Sequence, residues 1–210
     1  MVLVNKAINE VTVKLVYYGP GLCGKTTNLE KIYGNPKLEN KGKMISMATE
    51  TDRTLFFDFM PMELGTIGGQ KVRVQLYTVP GQVIYNSTRQ LVLRSVDGVV
   101  FVADSQWEKM EENVGSFRNL EQNLQKQNLP LDQVPVVLQF NKRDLPNVAP
   151  ANYLEYLLNN RKRRLQSFEC VASTGANVFS ALDAVTQLLL HKFKRENTSL
   201  FPGPGKQTAR

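Results

Sequence analysis

The chain is predicted to fold as a single α/β domain, a mixed and mostly parallel six-stranded sheet with helices on both faces. Three observations predict it. Short apolar runs, several rich in β-branched residues, alternate with segments of helical spacing, the pattern of strand–helix–strand units. A phosphate-loop pattern, G-x-x-x-x-G-K-[ST], is matched at every fixed position by Gly19-Pro20-Gly21-Leu22-Cys23-Gly24-Lys25-Thr26, between an apolar run and a helix-compatible one. A second motif, Asn141-Lys142-Arg143-Asp144, closes another apolar run, at the strand ends where open α/β sheets bind ligands.

In order, Val11–Tyr18 is the first strand and Gly24–Tyr33 the helix after the phosphate loop. Leu55–Met60 and Lys71–Thr78 form an antiparallel pair, joined by a turn that includes Gly65, Gly68 and Gly69. Gly98–Ala103, Pro135–Phe140 and Ser167–Val171 are further buried strands. Met110, Val114, Phe117, Leu120 and Leu124 fall on one helical face, as do Val178, Leu182, Val185, Leu189 and Phe193. Both are stripes that face a core. The domain is expected to span residues 1–195, with a flexible basic tail over 196–210.

The two motifs define a chemistry. In a phosphate loop, glycines let successive N–H groups turn inward toward phosphate oxygens, and the following helix adds its positive end. The nucleotide-binding residues here are Gly19, Gly21, Leu22, Cys23, Gly24, Lys25, Thr26 and Thr27. Lys25 brings a point charge to the β- and γ-phosphates, and the Thr26 hydroxyl is a ligand for Mg²⁺. The alternative is a glycine-rich turn that binds nothing; a strand before and a helix after argue against it. At the second motif, the Asp144 carboxylate can accept hydrogen bonds from guanine N1–H and its 2-amino group. Adenine offers neither, and the unpaired carboxylate would cost at least about 1–3 kcal/mol. Asn141 would tie this loop to the phosphate loop, and the stem of Lys142 can lie over the base. Ala172-Ser173-Thr174-Gly175 follows the last strand and would offer backbone N–H to the guanine 6-oxygen, so Ser173 and Thr174 join the candidate site.

Composition narrows the class further. Of 210 residues, 42% are hydrophobic and mean hydropathy is −0.28, as in globular domains. No apolar run approaches the roughly 18–20 residues of a membrane span, and neither a signal peptide nor a lipidation motif is expected. A cytoplasmic protein is expected, with any membrane or polar location supplied by a partner or a basic surface. Net charge is +7 and is uneven: residues 151–210 hold nine Lys or Arg against four Asp or Glu. Arg161-Lys162-Arg163-Arg164, Lys192, Lys194 and Arg195 carry most of it. This is either a solvated basic face or a surface for an acidic partner, anionic lipid or nucleic acid; no motif or aromatic interleaving supports nucleic acid. Two cysteines suit a reducing compartment. Cys23, just before a helix N-terminus, is expected to have a lowered thiol pKa and is open to a redox role, though an incidental small residue serves as well. His191 reads as a surface residue with no metal cluster around it.

The chain resembles the Ras-like small GTPases, and more closely the bacterial MglA family. The closer match is carried by Tyr17–Leu29, Thr49-Glu50-Thr51-Asp52-Arg53-Thr54-Leu55-Phe56-Phe57-Asp58, Leu76-Tyr77-Thr78-Val79-Pro80-Gly81-Gln82 and Val96–Gln106, and it covers about residues 8–194. The resemblance implies a small GTPase switch that binds GTP or GDP with Mg²⁺, hydrolyses GTP slowly, and serves bacterial cell polarity and motility. It implies that Gln82 orients the attacking water, that Arg53 is an arginine finger supplied within the chain, and that Thr54 and Thr78 join Thr26 at Mg²⁺. It also implies an MglB-like roadblock-domain activating protein that draws Arg53 and Gln82 into place, besides an exchange factor and effectors. The usual D-x-x-G motif reads Thr78-Val79-Pro80-Gly81 here, so threonine replaces an aspartate and brings no charge. By spacing alone, Arg53 reads as a surface residue paired with Asp52 or Glu50, and only the resemblance reverses that reading. A GTP-binding scaffold with negligible turnover is the competing expectation.

Overall fold

The computed structural model describes residues 3–5, 9–36, 38, 40–46, 57–67, 70–82 and 85–196. Eight strands and five α-helices follow one another as β1 (Leu3–Asn5), β2 (Glu10–Tyr18), α1 (Lys25–Tyr33), β3 (Ile45–Ser46), β4 (Asp58–Ile67), β5 (Gln70–Thr78), α2 (Asn86–Leu93), β6 (Gly98–Asp104), α3 (Met110–Gln125), β7 (Val136–Asn141), α4 (Ala151–Leu158), β8 (Gln166–Glu169) and α5 (Val178–Glu196). The sheet runs β3-β4-β5-β2-β6-β7-β8, with β1 added beside β2. Strands β5, β2, β6, β7 and β8 are mutually parallel; β4 and β3 are antiparallel additions at one edge.

Five expected strands are present within a few residues of their bounds. The one expected over Leu55–Met60 appears as β4 and runs on to Ile67, while Leu55, Phe56, Gly68 and Gly69 lie outside the described residues. The two extra strands are short. β6 pairs with β2 only from Leu15 onward, which leaves the Glu10–Thr12 edge of β2 open, and β1 fills it in antiparallel register. The Gly65 placed in a turn by its composition belongs instead to β4, at a register shift between Glu63 and Gly65. Glycine commonly marks such an irregularity inside a strand. The strand tolerates Pro61 because its carbonyl points outward, accepting from Gly42 N–H at 2.8 Å, so its missing N–H faces away from β5.

The sheet is packed on both faces, and alternation along the strands decides which face each residue serves. Val13, Leu15 and Tyr17 of β2, with Val100 and Val102 of β6, meet α1 and α5. Val16 and Tyr18, with Val99, Phe101 and Ala103, meet α2, α3 and α4. Both expected helical stripes are core-facing, with Val114 only partly buried. Each fully buried aliphatic or aromatic side chain contributes about 1.5–3 kcal/mol, so the two layers hold rigid the sheet ends that carry the loops described next.

Candidate functional site

The phosphate loop leaves β2 at Tyr18 and turns into α1 at Lys25. Gly24 caps that helix with φ +101, and a Cβ there would sit 2.3 Å from Asn141 Nδ2. Only glycine fits both the backbone and the space. Lys25 is buried, and its Nζ donates to the carbonyls of Pro20 at 2.6 Å and Gly19 at 3.2 Å. Burial lowers its pKa, partly offset by the neighbouring Cys23. Cys23 itself is fully buried, and burial raises its thiol rather than lowering it, against the pull of Lys25. The expectation from the helix N-terminus is therefore overturned: desolvation outweighs the favourable dipole.

Behind the loop, at the first turn of α1, the start of β4 and the end of β5 converge. Register pairs Phe59 with Tyr77, which brings Asp58 across from Thr78. Asp58 is fully buried. Its Oδ2 accepts from Thr26 Oγ1 at 2.6 Å and from Thr78 Oγ1 at 2.7 Å, and its Oδ1 accepts from Ser46 Oγ at 2.5 Å. Its backbone N–H donates to Thr78 Oγ1 at 2.8 Å. The charge that Thr78 lacks is thus supplied from the neighbouring strand. The site is an all-oxygen donor set with one buried carboxylate, which suits Mg²⁺. Sequence reasoning gave Asp58 no role; its conjunction with Thr26 spans 32 positions and has no local spacing to reveal it.

The segment after β5 lies directly on the phosphate loop. A Cβ on Gly81 would fall 2.3 Å from Gly21 Cα and 2.7 Å from Gly21 N. Arg89 of α2, fully buried, fixes this segment: its Nε donates to Pro80 O at 2.8 Å, its guanidinium also donates to Gly81 O, and Nη1 reaches Asn119 Oδ1 at 2.9 Å. Gln82 follows, exposed. Arg53 and Thr54 lie outside the described residues.

On the other side, Asn141 is the joint between loops. It is buried; Nδ2 donates to Cys23 O at 2.7 Å and Oδ1 accepts from Ala172 N–H at 2.9 Å. The tie expected from the motif is present, and it also reaches the Ala172–Gly175 turn. Lys142, at φ 66, pairs with buried Asp104 at 2.5 Å. Arg143 braces the loop through Glu169 at 2.8 Å and Ala149 O at 2.6 Å. Asp144, Ser173 and Thr174 are exposed around the same opening, and Thr27 is half-buried on α1. The structure therefore brings the phosphate-loop residues, Thr78 and the Asn141–Asp144 and Ala172–Gly175 loops to one end of the sheet.

The model of the ADP-ribosylation factor (Arf) family matches residues 2–189. The chain belongs to the Arf family of Ras-like GTPases. It is also 53% identical, over 195 residues covering 93% of this chain and 99% of the relative, to the mutual gliding-motility protein MglA of Myxococcus xanthus strain DK1622. As an Arf-family GTPase the chain binds GTP and GDP with Mg²⁺ and hydrolyses GTP to GDP and phosphate. No helix among the described residues is long and apolar enough to cross a membrane.

Two expected results follow from this geometry. Asp144→Asn should weaken GDP binding strongly and shift preference toward xanthine nucleotides, because the amide turns an NH₂ toward guanine donors while xanthine presents a 2-oxo acceptor. Unchanged GDP affinity by titration would mean the base lies elsewhere. Asp58→Asn should leave GDP binding without Mg²⁺ nearly intact but raise the Mg²⁺ needed for half-maximal GTP retention by about 10–100-fold, the usual scale for groups that orient a metal's ligands. A Mg²⁺ titration of GTP release that superimposes on the parent's would remove Asp58 from the site.

Proposed function

We propose that this chain is a GTP-operated switch in bacterial cell polarity and motility; gliding motility is the process in its Myxococcus relative's name. One observation carries the switch reading. Gly81 rests so closely on the phosphate loop that a methyl group added to it would overlap the Gly21 backbone. A nucleotide with a third phosphate, seated on that loop, has to displace the Thr78–Gln82 segment, whereas one with two phosphates need not. Binding energy for the two nucleotides therefore differs in the position of a surface segment, which a partner can read.

In the reaction, the loop amides and Lys25 bind and orient the phosphates, while Thr26, Thr78 and Asp58 hold the metal position together with Thr54. Bound Mg²⁺ supplies charge neutralisation at the phosphate oxygens. Asn141, Lys142, Asp144, Ser173 and Thr174 hold the guanine. Gln82 orients the water, and Arg53 offsets charge that develops on the leaving oxygen. Gln82 is exposed, and an MglB-like roadblock-domain protein accelerates a slow basal turnover by holding Gln82 and Arg53 at the reacting phosphate. The same reading gives the chain an exchange factor, polarity or motility effectors, and a cytoplasmic pool recruited to a cell pole.

The test is single-turnover hydrolysis with and without a cognate roadblock-domain protein. Acceleration by that protein is the expected result. Equal and negligible rates in both arms would replace the switch with a GTP-binding scaffold.

A further inference from the structure

The C-terminal charge excess is gathered into a groove at the end of the sheet opposite the nucleotide site. The groove, about 860 Å³, is bounded by the lead-in to β7 at Leu131–Val136, the lead-in to β8 at Arg161–Gln166, and the last turns of α5. Asn141 and the phosphate loop stand at the other ends of these parallel strands. Arg161, Lys162, Arg163 and Arg164 form one wall; Lys192 and Arg195 stand on the other; Asp132 and Glu196 are the carboxylates that line it. Arg161 is committed to Glu121 at 3.0 Å and Lys192 to Glu196 at 3.8 Å. Lys162, Arg163 and Arg164 are exposed and have neither an ion pair nor a hydrogen bond among the described residues.

We propose that this end of the molecule docks on an anionic phospholipid surface. Three consecutive cations without a counterion repel one another and weaken the fold slightly, and a negatively charged partner removes that cost. The partner is a membrane for three reasons. Between the cationic walls lie the aliphatic side chains of Leu131, Val134, Leu165 and Leu188; the lining holds no Phe, Tyr or Trp, and its one ring is the His191 imidazole, too little to make a stacking platform for bases. The unpaired cations are adjacent, so they suit a surface that neutralises charge by number rather than a peptide that needs spaced, individual partners. The chain beyond Glu196 adds Lys206 and Arg210, the apolar pair Leu200-Phe201, and no carboxylate, so the sequence that continues from this end has the same preference. Docking here leaves Gln82 and the nucleotide opening at the far end, free for protein partners.

The experiment is flotation of the full GDP-loaded chain with phosphatidylcholine vesicles, with and without phosphatidylglycerol, at low and high salt. Binding is expected only with phosphatidylglycerol and should fall as salt rises. Each cation near such a surface is worth about 1 kcal/mol, or roughly fivefold in partitioning. The triple variant Lys162→Gln/Arg163→Gln/Arg164→Gln should therefore bind about 100-fold more weakly. A control triple with the same charge change away from the groove, Lys43→Gln/Lys109→Gln/Arg118→Gln, should lose far less. GDP affinity, measured on every variant, reports that each is folded. Equal flotation with neutral and anionic vesicles overturns the proposal, as does equal loss in both triple variants. Absence of vesicle binding together with tight capture of an acidic peptide also overturns it, and hands the groove to a protein.

Discussion

Gln82→Leu and Arg53→Ala are each expected to abolish activator-stimulated GTP hydrolysis while leaving GTP affinity within a few-fold of the parent. On the proposed mechanism both side chains act on the transition state and contribute little to ground-state binding, so the loss should fall on the rate. An arginine that meets charge on the breaking bond is worth roughly 10³–10⁵ in rate, and that sets the size of the Arg53→Ala effect. Arg53→Lys should also fail, since an ammonium lacks the planar fork that bridges two oxygens. Because the two residues form one assembled unit, the double variant should cost little more than either single. Phosphate release at saturating GTP, with affinity measured separately, checks all four. Full stimulated activity in Arg53→Ala would mean that the partner supplies the arginine.

Arg89→Ala is expected to have the largest effect on stability. The guanidinium is fully buried, and its charge is met by the carbonyls of Pro80 and Gly81, by Asn119 and by the face of Tyr18, whose centroid lies 5.3 Å away. Truncation leaves two carbonyls unpaired and a cavity beneath the segment that carries Gln82. Breaking such a buried charge-assisted network costs about 3–5 kcal/mol. For a chain of this size that is a fall of roughly 10 °C in Tm. Scanning calorimetry of the GDP form measures it. A fall within a few degrees would show that water replaces the lost donors.

How much of this was legible in the sequence depended on distance along the chain. Strands β6 and β7 could be read because they are buried on both faces and so appear as nearly continuous apolar runs, and β2 because its apolar residues alternate with polar ones up to Lys14 and then run on unbroken to Tyr18. The phosphate loop and Asn141 could be read because their spacing is local. Helix α2 was not, because Asn86, Ser87 and Thr88 are poor helix formers and its core contacts are only Val92 and Leu93. Helix α4 buries just Leu154 and Leu158, too few to set a period. Arg89 looks like a surface charge until the carbonyls around it are known. Asp58 stands 12, 32 and 20 positions along the chain from Ser46, Thr26 and Thr78, the three hydroxyls it accepts from, so only the tertiary fold reveals it.

Asn141 has a consequence for how the ligand is held. One buried amide grips both the phosphate loop and the turn at Ala172, so what we propose as the base and phosphate ends of the opening are set at a fixed separation before anything enters. A guanine nucleotide is then a two-headed ligand meeting a rigid two-jawed clamp. Once one head is seated, the other is presented at high effective concentration, and the entropy of capture is lost only once. Guanosine alone and pyrophosphate alone should both bind feebly, yet their covalent union should bind far more tightly than the product of the two affinities suggests. Loosening that single amide would leave each half-site chemically intact and still dissolve the advantage of joining them.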